Sequence, residues 1–178
     1  TLAIAHALLR AGCVDPRSLY ENAGELVPLL CSQLDDNETS MRHIAAMSLC
    51  VVFERLKGAF GPQAVSEIYP LLVKRFDDSN DEVRLSVIKA VSVFMTASVQ
   101  GAFSGTSLDY TLDQLFIHLD DSDERIQAAC YATIMTASTL EHPPNATSSP
   151  AARDLVKKKA SSQRGSHRSP AKCDALLK

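Results

Sequence analysis

The sequence has no tryptophan, and aromatic residues make up only 6% of its 178 residues. A layered helical array tolerates this scarcity, because its core is built from aliphatic side chains and alanine between thin helices. No apolar run approaches the ~20 residues that a membrane-spanning helix needs. No secretory signal is visible either, but the chain begins with threonine rather than methionine. We therefore expect a non-membrane chain that is a fragment of a longer protein.

The cysteines show neither a disulfide framework nor a metal-binding pattern. Cys13, Cys31, Cys50, Cys130 and Cys173 include no pair at the two-residue spacing of zinc and redox motifs. At least three of them fall inside segments with helical periodicity. They are interpreted as small buried apolar residues, and the pattern is typical of a reducing compartment.

The net charge of −3 hides an uneven distribution. Residues 151–178 contain eight Lys/Arg and two Asp/Glu, which gives this segment a charge of +6 and leaves −9 for the rest of the chain. Binding to phosphate groups requires a continuous basic surface. The acidic body therefore argues against nucleic acid as the main partner.

A Leu/Phe-Asp-Asp tripeptide occurs three times, at residues 34–36, 76–78 and 119–121, so that the copies are 42 and then 43 residues apart. A period in the forties is typical of helical arrays, in which neighbouring repeats stack and bury each other's faces. The sequence therefore predicts an all-α fold, an α-solenoid of helical hairpins. It also favours a protein that holds partners together over one that performs chemistry.

Each tripeptide ends a segment with helical periodicity. The segments at residues 25–34, 67–76 and 110–119 align, and their apolar spacings of three and four predict an amphipathic helix of about ten residues. Pro28 and Pro70 coincide near the helix start, where the missing N–H of proline is tolerated. The Asp pairs that follow predict a turn and a cap for the next helix.

A second, more apolar helix is predicted after each Asp pair. Its apolar residues are spaced four, four and three apart, as on one buried helix face. The three stripes are Met41, Ala45, Leu49 and Val52; Val83, Val87, Val91 and Phe94; and Ile126, Cys130, Ile134 and Ala137. Gly58 and Gly101 are the predicted C-terminal caps of the first two.

The pattern divides the chain into five parts. Residues 1–19 are predicted to form a partial repeat that contains a second helix only. Gly12 and Asp15-Pro16 are predicted to end that helix. Residues 141–178 predict a mostly disordered basic tail, because their composition cannot bury enough apolar surface; only residues 151–160 could form a short helix. An array with such ends should be marginally stable or associate through its end faces. Between them lie three complete repeats, at residues 20–61, 62–104 and 105–140.

The order of elements in each copy resembles the HEAT repeat: a helix is followed by an Asp turn, a Val-Arg step and a second helix rich in Ala and Val. The strongest local match is DSNDEVR at residues 78–84, and Asp36 and Arg42 have the same separation as the ends of this run. In the third copy Gln127 stands at that distance from Asp121, with arginine two residues earlier. The resemblance implies a ladder of side-chain hydrogen bonds that aligns neighbouring repeats, formed by Asp36, Arg42, Asp78, Arg84 and Asp121.

Two longer segments are similar to a narrower family. YPLLVKRFDDSNDEVRLSV at residues 69–87 and LFIHLDDSDERIQAA at residues 115–129 resemble the C-terminal repeats of the HEAT-repeat dynein axonemal assembly factors. The resemblance implies a cytoplasmic, non-catalytic scaffold that helps to build axonemal dynein arms. Its implied partners are proteins, namely dynein subunits such as intermediate chains, or chaperone-associated assembly factors. The segment after Thr139 does not resemble the continuing helices of that family.

No residue pattern predicts an active site. The Asp pairs should lie in a row along one edge of an array rather than around a metal ion, so turn and cap roles are expected. The five histidines are scattered without ligand spacing, and no GxSxG motif or Gly-rich phosphate loop occurs. We therefore expect no enzyme activity, no metal and no cofactor. The lysines at residues 157–159 are interpreted as part of a solvated tail.

The stacked second helices are expected to line the concave side of the array and to form an extended binding surface. An importin-like cargo adaptor is the alternative function, because an acidic body would suit basic signals. A tubulin-binding array ranks lower, because the Asp pairs would repel the acidic surface of tubulin. Solubility alone would also account for the candidate partner face, which consists of Arg42, His43, Glu54, Arg84, Lys89 and Gln127.

Overall fold

The computed structural model describes residues 2–140, 152–163, 165 and 170–177, and within them the chain forms ten α-helices and no β-strand. A 3₁₀ turn at Lys74–Asp77 extends the fifth helix. The helices are α1 (Leu2–Arg10), α2 (Pro16–Glu21), α3 (Ala23–Gln33), α4 (Thr39–Arg55), α5 (Pro62–Val73), α6 (Asp81–Ala97), α7 (Thr106–His118), α8 (Glu124–Ser138), α9 (Ala152–Gln163) and α10 (Pro170–Leu177).

The helices stack in two layers. The first layer contains α3, α5, α7 and α9 in sequence order, and the second layer contains α1, α4, α6 and α8. Across the layers, α3 packs on α4, α5 on α6, and α7 on α8, so each complete predicted repeat holds one antiparallel hairpin. This arrangement is an α-solenoid, as the repeat period predicts.

The apolar stripes of the second helices form the core. Leu49, Val87 and Ile134 are fully buried, as are most of their stripe neighbours. The few aromatic residues are concentrated rather than spread: Phe94 lies 4.7 Å from Phe53 and 5.9 Å from Phe103, measured between ring centroids. Four of the six phenylalanines, including Phe60, therefore fill the centre of the array, and aliphatic side chains fill the rest.

The loops that connect successive hairpins bond to one another. Gly58 and Gly101 both have positive φ angles, 78° and 77°, which allow the chain to reverse after α4 and α6. The N–H of Gly58 donates to the carbonyl of Ala97 (2.7 Å), and the N–H of Val99 donates to the carbonyl of Phe60 (2.9 Å). These backbone bonds fix the spacing of the two hairpins on that edge.

The N-terminal part contains more than the single helix predicted for residues 1–19. Helix α1 stacks on α4 as a second helix would, but α2 begins within this part as well. Asp15-Pro16, predicted as a stop signal, instead starts α2: the Asp15 carboxylate accepts a hydrogen bond from the N–H of Ser18 (3.0 Å), and Pro16 suits the first helical position. On α1, Ile4 and Leu8 remain 66% and 46% exposed.

Two helices lie in the segment predicted to be mostly disordered. Helix α9 falls where a short helix is allowed, at residues 151–160, and extends three residues beyond it, whereas the prediction of disorder is wrong for α10. Ala152, Val156 and Ala160 are four residues apart and lie on one buried face of α9, which packs on α7 and α8. The polar composition of residues 141–178 as a whole does not reveal this short apolar stripe. The remaining residues of the predicted tail, 141–151, 164, 166–169 and 178, lie outside the described residues.

Helix α9 continues the first layer after α7, and α10 pairs with α9. Lys172 of α10 contacts Gln127 of α8, which places α10 beside the last helix of the second layer. The two helices therefore form a fourth, shorter hairpin where the sequence analysis predicted that the array ends. None of the helices in the described ranges is long and apolar enough to cross a membrane.

Candidate interaction surface and the ladder that supports it

The second aspartate of each pair shapes the turn between the two helices of its hairpin. The carboxylate accepts a hydrogen bond from the backbone N–H two residues later, an Asx turn that replaces helix with a sharp bend. Asn80 and Asp123 then cap α6 and α8 with their own side chains. The three Asx turns are Asp36 to Glu38 (2.8 Å), Asp78 to Asn80 (3.0 Å) and Asp121 to Asp123 (2.9 Å).

Two of these aspartates, Asp78 and Asp121, also receive an arginine side chain from the preceding hairpin. Arg42 on α4 donates two hydrogen bonds to Asp78, from Nε to Oδ2 (2.8 Å) and from Nη2 to Oδ1 (2.9 Å). Its Nη1 also donates to the carbonyls of Asp36 and Asn37, both at 3.0 Å. The side chains of Arg42 and Asp78 are only 9% and 1% exposed, so this is a buried, bidentate ion pair.

The electrostatics of this pair favour the charged forms. Burial by itself would raise the pKa of Asp78, but the hydrogen bonds from Arg42 and from the N–H of Asn80 outweigh it and hold the pKa below its usual range. The hydrogen bond to Asp78 likewise raises the pKa of Arg42. Both groups therefore remain ionised at neutral pH, and each neutralises the other.

The next hairpin repeats the arrangement. Arg84 on α6 donates to Asp121 through Nη2, to the carbonyl of Phe76 through Nε (2.8 Å) and to Asp81 through Nη1 (3.1 Å). Burial would raise the pKa of Asp121, but hydrogen bonds from the N–H of Asp123 and from Arg84 lower it. We call Arg42–Asp78, Arg84–Asp121 and the contact of Gln127 described next the charge ladder.

Gln127 takes the place of arginine in the third copy. Its Nε2 donates to the carbonyl of Asp121 (2.5 Å), as Arg42 donates to the carbonyl of Asp36. Its Oε1 accepts a hydrogen bond from Lys172 on α10. The polarity of this last contact is reversed: the cation now lies on the following hairpin instead of the preceding one.

A second row of contacts involves the first aspartate of the first two pairs. Asp35 binds Lys74 (3.0 Å) and Arg75 of the next hairpin, and Asp77 lies 3.5 Å from Nε2 of His118, the residue that follows Arg75 by 43 positions. Nδ1 of His118 accepts a hydrogen bond from Arg84 (3.2 Å). The proton of the neutral imidazole is therefore on Nε2, directed toward Asp77.

The stability of the chain should fall as the pH is lowered below about 6.5, the ordinary pKa of histidine. Burial lowers the pKa of His118, although Asp77 opposes this effect, and the unfolded chain therefore binds a proton at a higher pH than the folded chain. Stability is fully present above the unfolded pKa and is lost as the pH falls toward the folded one.

Melting temperatures measured between pH 7.5 and pH 5 test this expectation. The change His118→Asn keeps an acceptor for Arg84 and should flatten the pH dependence. Burial also lowers the pKa of His6, so His6→Asn should remove a further part of the pH dependence of the melting temperature. Equal slopes in the wild type and in the double variant would contradict the assignment.

The structure divides the candidate partner face into two groups. Arg42, Arg84 and Gln127 belong to the charge ladder and point between hairpins, so they cannot also offer their polar groups to a partner. His43 is half-buried, and its Nδ1 lies 3.0 Å from Oγ of Ser86 on α6. The face predicted from the sequence therefore reduces to Glu54 and Lys89, which are exposed.

Glu54 and Lys89 lie along a cleft in the second layer. The cleft has a volume of about 350 Å³ and is bounded by α1, α4 and α6. Its walls combine charged and apolar side chains, and the residues that line it include Arg10, Met47, Val51, Glu54 and Lys89. Sequence reasoning missed Met47 and Val51, although both occupy the α4 turns next to the apolar stripe. This mixed composition suits protein contact.

The thiols inside the array are not poised for chemistry. Burial raises the pKa of Cys31 and of Cys130 to about 12, and that of Cys50 to about 11. Across the described part of the chain, no three His, Cys, Asp or Glu side chains converge in a way that could hold a metal ion.

Stacked hairpins, Asx turns and an inter-hairpin charge ladder define an α-solenoid of the HEAT type. The HEAT repeat family model matches residues 68–98, which cover the second half of α5, the turn and all of α6. A crystal structure of an engineered protein from the Northeast Structural Genomics Consortium has the same fold, with a TM-score of 0.61, 16% identity, and coverage of 99% of this chain and 72% of that chain.

The chain is similar to dynein axonemal assembly factor 5 from three vertebrates. Identity is 24% over 96% of this chain for the Xenopus laevis protein, 26% over 85% for the Homo sapiens protein, and 22% over 96% for the Mus musculus protein. The chain spans 17–19% of the length of these relatives. A match over 96% of the chain must extend well past residue 140, so the expected lack of resemblance after Thr139 is wrong.

Proposed function

We propose that this chain is part of a cytoplasmic, non-catalytic scaffold that takes part in the assembly of axonemal dynein arms. The observation that carries the proposal is the similarity to dynein axonemal assembly factor 5 over nearly the whole chain. The proposed partners are dynein subunits, in particular intermediate chains, or chaperone-associated assembly factors. The HEAT-type fold supports a role in protein binding, and the cytoplasmic setting is part of the proposal.

The geometry supports a scaffold through its rigidity. The charge ladder and the bonded loops hold four hairpins in one register, so a partner meets a preformed surface and loses less conformational freedom on binding. The cleft of Glu54 and Lys89 crosses three helices of the second layer. A partner that spans several hairpins can sum many modest contacts, which is how extended repeat surfaces reach useful affinity.

Proximity labelling in ciliating cells tests the proposal. The chain, fused to a labelling enzyme, should label dynein intermediate or heavy chains in the cytoplasm. The paired change Glu54→Lys and Lys89→Glu should reduce that labelling at least about tenfold, the effect of losing roughly 1.4 kcal/mol of binding free energy. It preserves the net charge of the chain, so a loss would reflect the placement of the charges.

The matched control is the paired change Arg17→Glu and Glu21→Arg. These residues form an exposed ion pair on α2, away from the second layer, and the exchange also preserves net charge. Labelling of dynein subunits should persist in this control. Labelling of a Ran-type GTPase or of basic cargo in place of dynein subunits would contradict the proposal and favour an importin-like adaptor.

A further inference from the structure

The first layer contains an aromatic cluster at one interface between hairpins. Between α5 and α7, Tyr69 packs edge-on against Phe103, at a centroid distance of 6.3 Å, and against Tyr110, at 6.4 Å. Such edge-to-face contacts are the favourable geometry for aromatic rings. Tyr69 and Phe103 occupy the space between the two helices, and Tyr110, which is 47% exposed, lies at its rim.

The preceding interface, between α3 and α5, has the same backbone plan but lacks two of these rings. Residues 42 or 43 positions earlier occupy the equivalent places: Val27 stands for Tyr69, Phe60 for Phe103, and Glu67 for Tyr110. The phenylalanine is retained and both tyrosines are replaced. The places of one ring inside the interface and one ring at its rim, both occupied between α5 and α7, are therefore vacated between α3 and α5.

The vacated space is an open slot with a volume of about 430 Å³, within the range of small-ligand and side-chain pockets. Val27, Phe60 and Ile68 form its walls and are 4%, 5% and 8% exposed. Gly24 also lines it, and a Cβ added there would meet no atom within 4 Å. At the rim, Tyr20 is 65% exposed, so apolar surface continues beyond the slot.

The slot carries one acidic group. Glu67 lies on α5 at the rim and is exposed. Its carboxylate accepts a hydrogen bond from Nε2 of Gln63 (3.0 Å), which is an uncharged amide and leaves the negative charge in place. A ligand that fills the apolar space next to Glu67 gains further from a positive charge near its aromatic ring.

We propose that the slot between α3 and α5 is a docking site for a partner protein that inserts an aromatic side chain, tyrosine or phenylalanine, with a lysine or arginine close by in its sequence. The inserted ring takes the place that Tyr69 and Tyr110 fill at the next interface and packs against Phe60. The basic residue pairs with Glu67. The apolar rim at Tyr20 and Leu71 contacts the residues that flank the ring, which favours a peptide segment over a free aromatic molecule.

The test uses short peptides as probes and the full chain as receptor. Acetyl-Lys-Tyr-Leu-amide is titrated into methyl-labelled protein, and the NMR signals of Val27, Ala64, Ile68 and Leu71 are followed. We expect saturable shifts with a Kd of the order of 1 mM, which is typical of a single anchoring side chain. Acetyl-Lys-Ala-Leu-amide should bind at least about tenfold more weakly, and acetyl-Glu-Tyr-Leu-amide about threefold more weakly at low salt.

Variants that fill the slot from either wall provide the second arm. Val27→Tyr restores the residue type of Tyr69, and Glu67→Tyr restores that of Tyr110; each should weaken peptide binding at least about tenfold without lowering the melting temperature. The matched control is Leu29→Tyr, which adds a ring to α3 on a side chain that is 59% exposed and outside the slot. It should leave the peptide affinity unchanged.

Several results would overturn the proposal. These are the absence of saturable shifts, equal binding of the alanine peptide, and unchanged binding when folded Val27→Tyr and Glu67→Tyr proteins are used. A peptide-independent dimer that protects the same methyl groups would assign the slot to a second copy of the chain instead. The inference does not depend on which protein supplies the ring, so its failure would leave the dynein-labelling experiment intact.

Discussion

Replacing Asp78 by alanine should lower the free energy of unfolding by about 3–5 kcal/mol, the usual effect of removing one partner from a buried ion pair. The Asp78 side chain is 1% exposed, and the change leaves the guanidinium of Arg42 buried without its counter-charge. It also removes the acceptor for the N–H of Asn80 that bends the turn before α6. Urea unfolding followed by far-ultraviolet circular dichroism measures the effect.

Asp77→Ala is a closely matched control, since it removes the adjacent carboxylate of the same pair. The Asp77 side chain is 77% exposed and lies 3.5 Å from the imidazole of His118, which is neutral, so the expected effect is below about 1 kcal/mol. The double change Arg42→Met and Asp78→Leu should recover part of the lost stability, because no unpaired charge remains. Similar losses for Asp77→Ala and Asp78→Ala would show that the ladder does not stabilise the array.

Replacing Val156 by aspartate should detach the fourth hairpin from the rest of the array. Val156 is 2% exposed on the face of α9 that packs against α7 and α8, and an unpaired carboxylate there costs several kcal/mol. Because that cost is expected to exceed the docking free energy of one short hairpin, local opening should result rather than global unfolding. Amide hydrogen exchange should lose at least about 100-fold protection in residues 152–163, equivalent to roughly 2.7 kcal/mol.

The control for this change is Lys158→Asp. It introduces the same side chain two positions later on the exposed face of α9, and the protection of residues 152–163 should fall less than about threefold. Exchange in α4 and α6 should be unchanged in both variants. Free exchange of residues 152–163 in the wild type would contradict the docking of α9.

The sequence predicts the array because its signals are local and recur. The spacing of Met41, Ala45 and Leu49 describes one face of a helix, and a partner for that face can be inferred from the copy 42 residues later. The Asp turns are equally local, since each carboxylate bonds a backbone group only two residues away. The helices, the turns and the order of the hairpins are therefore predictable from the sequence alone.

The fourth hairpin could not be predicted in this way because long-range contacts hold it. Lys159 of α9 pairs with Asp109 (2.8 Å) and Asp113 (2.5 Å) of α7, about one repeat earlier. Composition counted this lysine as part of a solvated run, while its side chain is 12% exposed. An ammonium group that lies opposite two carboxylates is held in an ion pair, whereas the same group in a disordered tail is solvated. Only the fold brings Lys159 and the two aspartates together.

The candidate site likewise has features that the sequence predicts and features that only the fold reveals. Arg42 and Arg84 were assigned both to the ladder and to the partner face, and spacing alone could not separate these roles. The slot beside Glu67, in contrast, has a signal in the sequence, because the alignment of Glu25, Glu67 and Tyr110 places an acidic residue where the third copy has an aromatic one. A comparison of aligned repeats that looks for positions where one copy lacks a bulky side chain present in another copy identifies this slot.

The reversed contact between Gln127 and Lys172 has a consequence for the fidelity of folding. Similar hairpins in one chain can stack in the wrong order, which is a characteristic failure of repeat proteins. If the fourth hairpin docked after α4 or α6, Lys172 would meet Arg42 or Arg84 and be repelled, whereas after α8 it meets the carbonyl oxygen of a neutral glutamine. The exchange of arginine for glutamine at this position therefore disfavours docking of the last hairpin after α4 or α6 and favours its place after α8.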